Sequence, residues 1–103
     1  MASGEALGGC MMVAAALGHS ERVTEIRSYL ATGLTTAADI FAKRFEKEMK
    51  AGRLSCTPSA KVRGRALVDL MQGLLLRAKA GIAREQLLQD ARSYVPLILG
   101  KQI

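Results

Sequence analysis

Apolar residues recur along this chain at intervals of three and four and nowhere alternate with polar ones over a strand's length, which predicts helices and no strand. The pattern divides into four stretches, residues 9–17, 20–51, 58–80 and 84–99. The first, Cys10, Met11, Met12, Val13, Ala14, Ala15, Ala16 and Leu17, is apolar all round, as a fully buried helix would be, and Gly18 ends it. The second opens at Ser20, a good N-cap, and closes before Gly52. Val23, Ile26, Leu30, Leu34, Ala37, Phe41, Phe45 and Met49 follow one another at three- and four-residue steps, so they share one face. Such a helix is about 50 Å long, more than a compact domain of this size spans, and Gly33, followed by Thr35 and Thr36, marks where it would bend.

Thr57-Pro58 supplies a cap and a favoured first helical residue for the third stretch, which stops at Gly81. Its Leu67, Val68, Leu70, Met71, Leu74, Leu75 and Ala78 fill an arc of roughly 160°. A stripe facing one core is closer to 100° wide, so the excess predicts a second surface covered by another chain. The fourth stretch offers Leu87, Leu88, Ala91, Tyr94, Val95, Ile98 and Leu99, with Pro96 expected to bend it or loosen its last turn. The expected fold is all-α, an antiparallel bundle of about four helices.

The 103 residues suit one domain, which would bury roughly 65% of its extended surface. Half the residues are hydrophobic but only Tyr29, Phe41, Phe45 and Tyr94 are aromatic, the palette of a helix bundle. Cys10 and Cys56 lie far apart with no CxxC spacing, and His19 is the one histidine, so neither a metal site nor a cofactor is expected, and a reducing cytoplasm is the simplest setting. Leu7-Gly8-Gly9-Cys10 faintly resembles a lipoprotein cleavage box, yet residues 1–6 carry Glu5 and no base, which argues against an export signal. The eight-residue apolar run is far short of the roughly 20 needed to span a bilayer, so no membrane partner is expected.

Charge is unevenly placed. The net charge of +6 is carried by residues 41–65, where Lys43, Arg44, Lys47, Lys50, Arg53, Lys61, Arg63 and Arg65 face only Glu46 and Glu48. That basic corner lacks interleaved aromatics and any nucleic-acid motif, and much of it ends a helix, where bases suit the dipole; a solvated face is expected. Arg77, Lys79 and Arg84 around Gly81 are read as solvated too. His19 has no acidic or serine partner at a diagnostic spacing and is read as a surface or capping residue, so the chain is not expected to be an enzyme.

At this level of detail residues 8–100 resemble the C-terminal regulatory domain of TetR-type transcription repressors. The resemblance is carried by Gly9-Cys10-Met11-Met12 opening a short buried helix and by a long helix ending in Lys50-Ala51-Gly52-Arg53-Leu54. It is carried above all by Leu70-Met71-Gln72-Gly73-Leu74-Leu75-Leu76-Arg77-Ala78-Lys79-Ala80-Gly81 before a last amphipathic helix. It implies that the last two helices pair with a second copy into a four-helix interface, that the preceding helices enclose an effector pocket, and that DNA is read by a separate N-terminal helix-turn-helix, which this chain lacks. Residues 1–8 then read as a disordered extension, 9–100 as the domain and 101–103 as a tail.

The expected dimer interface is Leu67, Leu70, Met71, Leu74, Ala78, Leu87, Ala91, Tyr94, Val95 and Ile98. Cys10, Met11, Met12, Phe41, Phe45 and Met49 are the candidates for a soft apolar effector pocket, with ordinary core the stronger reading of the same residues. Three functions compete: the dimerising and effector-sensing part of a transcription regulator, a free-standing homodimer acting as a protein-interaction module, and a basic nucleic-acid binder.

Overall fold

The architecture follows from where the chain can place its smallest residues. A computed structural model describes residues 22–100, which form three α-helices and no strand. The predicted helix at 9–17, with Cys10, Met11, Met12 and His19, lies outside the described residues. Helix α1 is Arg22–Lys50, α2 is Ala60–Lys79 and α3 is Arg84–Leu99. Their 29, 20 and 16 residues correspond to roughly 43, 30 and 24 Å. Helix α1 runs through Gly33 as one continuous helix, as a long helix with a single interior glycine can.

Of the three predicted glycine stops, Gly18 lies outside the described residues and the other two hold. Gly52 and Gly81 take positive φ of 77° and 91°, and each sits in a paired closing pattern that satisfies the last helical carbonyls. At the first, Arg53 N–H donates to Glu48 O and Gly52 N–H to Met49 O; at the second, Ile82 N–H donates to Arg77 O and Gly81 N–H to Ala78 O. The start of α2 corrects the sequence reading. Pro58 does not open the helix, because Ser59 is the cap: its Oγ accepts from Val62 N–H at 3.2 Å and its carbonyl from Arg63 N–H at 2.9 Å. The Thr57–Pro58 peptide is cis.

Helix α2 is the element on which both others pack. The closest part of the α1–α2 contact is made by Ala38 and Ala42 against Ala60, Gly64 and Val68, all buried. The large residues of the α1 stripe, Phe41, Phe45 and Met49, are half-buried beside that contact and do not form its centre. Helices approach most closely where side chains are absent, and a Cβ on Gly64 would lie 2.3 Å from the carbonyl oxygen of Ala38 and 3.1 Å from the nitrogen of Ala42. Neither Ala38 nor Ala42 stands in the sequence-predicted stripe, because hydrophobic periodicity weights large side chains over close approach.

The result is a thin, long arrangement of 48 × 32 × 16 Å. Helices α1 and α3 each pack on α2 and make little contact with one another. The radius of gyration, 16.1 Å, compares with about 13 Å for a compact chain of this length. A domain normally closes its core between two layers, and the described helices are instead spread on either side of α2.

Gly64→Ala is therefore expected to lower unfolding free energy by about 1–3 kcal/mol, since the clash is with backbone and the helices must separate. Gly33→Ala, where an added Cβ meets nothing within 4 Å, should raise stability by up to about 1 kcal/mol. Urea denaturation of the two variants checks both signs; a neutral or stabilising Gly64→Ala would refute the close-approach account.

Candidate functional site

Consecutive residues of α2 face different neighbours, and this places the one fully buried charge among the described residues. Next to Gly64, which meets α1, Arg63 is 0% exposed and extends toward the end of α3. Its Nε donates to Ile98 O at 2.9 Å, and its Nη2 lies within hydrogen-bond distance of Ser55 Oγ at 3.0 Å, Thr57 O at 3.1 Å and Leu99 O at 3.2 Å. Every acceptor is neutral. The guanidinium meets the carbonyl end of α3, where the helix dipole is negative and the last carbonyls lack intrahelical donors. Nη1 has no protein partner.

This corrects the reading of the basic corner, in which Arg63 was one of eight solvated cations. It also accounts for Pro96: α3 passes through the proline to Leu99, its last turn held from outside by Arg63 and closed by Gly100, whose N–H reaches Leu97 O and Pro96 O. A Cβ on Gly100 would come within 2.7 Å of both Arg63 Nη2 and Ser55 Oγ. Two further cations of that corner are paired at the surface. Arg44 Nη2 lies 3.1 Å from Glu48 Oε1, and Arg53 Nε is bonded to Glu48 Oε2. Arg53, then Arg44, hold the Glu48 carboxyl below its usual range despite partial desolvation. Lys43, Lys47, Lys50, Lys61 and Arg65 remain exposed.

Arg77 is a second correction. It is not a solvated turn residue, because its Nη2 binds Asp90 Oδ2 at 2.6 Å across the Gly81 turn, and Gln86 Nε2 donates to Asp90 Oδ1 at 3.0 Å. The Arg77 hydrogen bond lowers the Asp90 pKa, and Asp90 raises that of Arg77. The signal for this pair is a thirteen-residue separation spanning two helix ends, invisible to a reading of one helix at a time.

The predicted interface residues separate by depth. Met71, Ala78, Tyr94 and Val95 are exposed, and Leu67, Leu70, Leu74, Leu87, Ala91 and Ile98 are half-buried. Leu70, Leu74, Tyr94 and Ile98 are brought together in a groove of about 410 Å³ between α2 and α3, joined there by Ala66, Asp69, Gly73, Arg77 and Leu97. Leu97, absent from the predicted set, is 66% exposed. Phe41, Phe45 and Met49 line neither this groove nor the cleft between α1 and α2, which is bounded by Leu34, Thr35, Ala38, Asp39, Lys61, Arg65, Val68 and Asp69. Among the described residues no group of three His, Cys, Asp or Glu side chains is placed to hold a metal ion, and no helix is long and apolar enough to cross a membrane.

Arg63→Met should cost about 3 kcal/mol of unfolding free energy, because carbonyls oriented to a charged donor lose it together. Arg63→Lys should recover only part of the loss, since one ammonium cannot span both sides of the site. Loss of less than 1 kcal/mol in Arg63→Met, measured by denaturant melts, would contradict the assigned role.

The Asp90 pKa is depressed on folding, so its contribution is complete above the ordinary aspartate range and is lost as pH falls through the folded value. Melting temperature should accordingly fall on acidification below about pH 4, and Asp90→Asn should flatten that limb. Identical acid limbs in parent and variant would show that the pair adds nothing measurable.

No protein-family model, no curated protein and no solved structure matches this chain.

Proposed function

We propose that the chain is a self-associating helical module that joins two copies through the α2–α3 face, the role implied by its resemblance to the C-terminal regulatory domain of TetR-type repressors. One observation carries the reading: α2 and α3 leave between them an apolar groove that nothing in the described chain fills. Leu70, Leu74, Tyr94, Leu97 and Ile98 line it, and Tyr94 and Leu97 are exposed. Isolated exposed leucines are ordinary, whereas a run of this kind along two adjacent helices marks an association surface.

The size is suitable. A face about 30 Å long and two helices wide has room for the roughly 800 Å² per partner of a standard interface. These side chains are already partly covered, so burying the remainder of each contributes on the order of 1 kcal/mol. The effector-sensing half of the reading would place a small apolar molecule between residues 10–12 and Phe41, Phe45 and Met49; the half-burial of those three is equally that of ordinary core. The reading includes no catalytic role, and DNA recognition would belong to a helix-turn-helix partner module.

Light scattering at several concentrations tests the proposal. The parent should be a dimer at tens of micromolar, and Leu74→Glu and Ala91→Glu should each weaken association by about 2 kcal/mol or more, because a symmetric interface buries every introduced charge twice. A parent that is monomeric at those concentrations overturns the reading.

A further inference from the structure

We propose that the two copies cross α2 over α2 in antiparallel sense at Gly73, with Asp69 of each copy meeting Arg77 of the other. This rests on the self-association reading and adds to it the register of the contact.

Asp69, Gly73 and Arg77 stand four residues apart, on one line along α2, and all three line the α2–α3 groove. Gly73 is midway, about 6 Å along the helix from each charge. A two-fold axis perpendicular to α2 at Gly73 therefore exchanges positions 69 and 77, and sets a carboxylate opposite a guanidinium on both sides of the axis. The parallel arrangement would place Asp69 against Asp69 and Arg77 against Arg77, which like-charge repulsion disfavours.

The groove floor suits a second helix at this point. A Cβ on Gly73 would meet nothing within 4 Å, so the backbone of α2 lies open between Leu70 and Leu74. The same helix already uses a glycine, Gly64, to bring α1 into backbone contact. Leu97, 66% exposed at the α3 side of the groove, is placed to reach across to the other copy. The charges are available as well. Asp69 is exposed and its side chain has no ion-pair or hydrogen-bond partner among the described residues. Arg77 commits Nη2 to Asp90 and also meets the Tyr94 hydroxyl; with five N–H donors it keeps capacity for a second carboxylate beside these two.

Two variants test the crossing directly. In a Cys10→Ser, Cys56→Ser background, Gly73→Cys places a thiol on the axis, facing its own copy within the ~7 Å Cα separation a disulfide tolerates, so mild oxidation should cross-link most of the protein. Thr36→Cys, on α1, should not cross-link. Gly73→Leu puts a side chain into the groove from a Cβ position that is open for 4 Å; it should raise the dimer dissociation constant at least 100-fold while helix content by circular dichroism is retained. Asp69→Lys should raise the constant about tenfold at low salt and less at high salt, leaving the Arg77–Asp90 pair in place.

If Leu74→Glu dissociates the dimer but Gly73→Leu keeps the parent's constant and Gly73→Cys does not cross-link, the crossing is overturned and self-association stands. A monomeric parent overturns both.

Discussion

A single guanidinium holds the described fold to one arrangement. Arg63 sits between the 51–59 connection, the body of α2 and the carbonyl end of α3, and binds Ser55, Thr57, Ile98 and Leu99 at once. A buried cation without a carboxylate is ordinarily costly, and what makes it tolerable here is the clustering of acceptors around it. Ile98 O and Leu99 O are last carbonyls of a helix, and Thr57 O accepts from the Ser55 hydroxyl as well, so serine, carbonyl and guanidinium form one small network. Because that network is complete only with all three segments in place, the contact favours the docked state of all three together and gives partial docking little support.

The next residue along does the opposite work with no side chain at all. Gly64 allows α1 to lie against α2, with Ala38 and Ala42 filling the contact. One turn of α2 thus fixes both neighbours, polar toward α3 and steric toward α1. It follows that the α1–α2 and α2–α3 contacts are not independent: rotating α2 to relieve a clash at Gly64 would withdraw Arg63 from Ile98 and Leu99. This coupling offsets what an open fold lacks, since among the described residues four small apolar side chains, Ala38, Ala42, Ala60 and Val68, make up the buried hydrophobic set.

Helix class and helix ends were readable from the residues, because both rest on local chemistry. The three described helices lie within two residues of their expected limits, and Gly52 and Gly81 close two of them as their missing Cβ permits. Ser59 in place of Thr57 as the cap of α2 is a local error: the proline signal favoured an earlier start than the serine hydroxyl supports. The larger misses are long-range. Arg63 looks like any member of a basic run until α3 arrives, 35 residues later, to use its donors. Asp90 is an ordinary acidic residue of an amphipathic helix until the Gly81 turn sets it beside Arg77. Ala38 and Ala42 were passed over because periodicity identifies the face that is buried and not the point on it where backbones meet. The candidate interface was legible as a stretch of α2 and α3, but Leu97, Asp69 and Gly73 join it only once the groove between them exists.

The two glycines within α2 lead to a final step. Each costs about 1 kcal/mol relative to alanine in a helix interior, so each should have a reason to be there. For Gly64 the reason is inside the chain: an alanine would push its Cβ to 2.3 Å from the Ala38 carbonyl oxygen. For Gly73 nothing inside the described chain supplies one, because the space beside it is open. The two positions are nine residues apart, which is two and a half turns, so they point to opposite sides of the helix. If one side of α2 holds α1 by close backbone approach, the matching absence of a side chain on the other is most simply explained by a second close approach. No described element of this chain provides that contact, and a second copy of α2 brings with it the same gap, the same flanking leucines and the charges in reversed order.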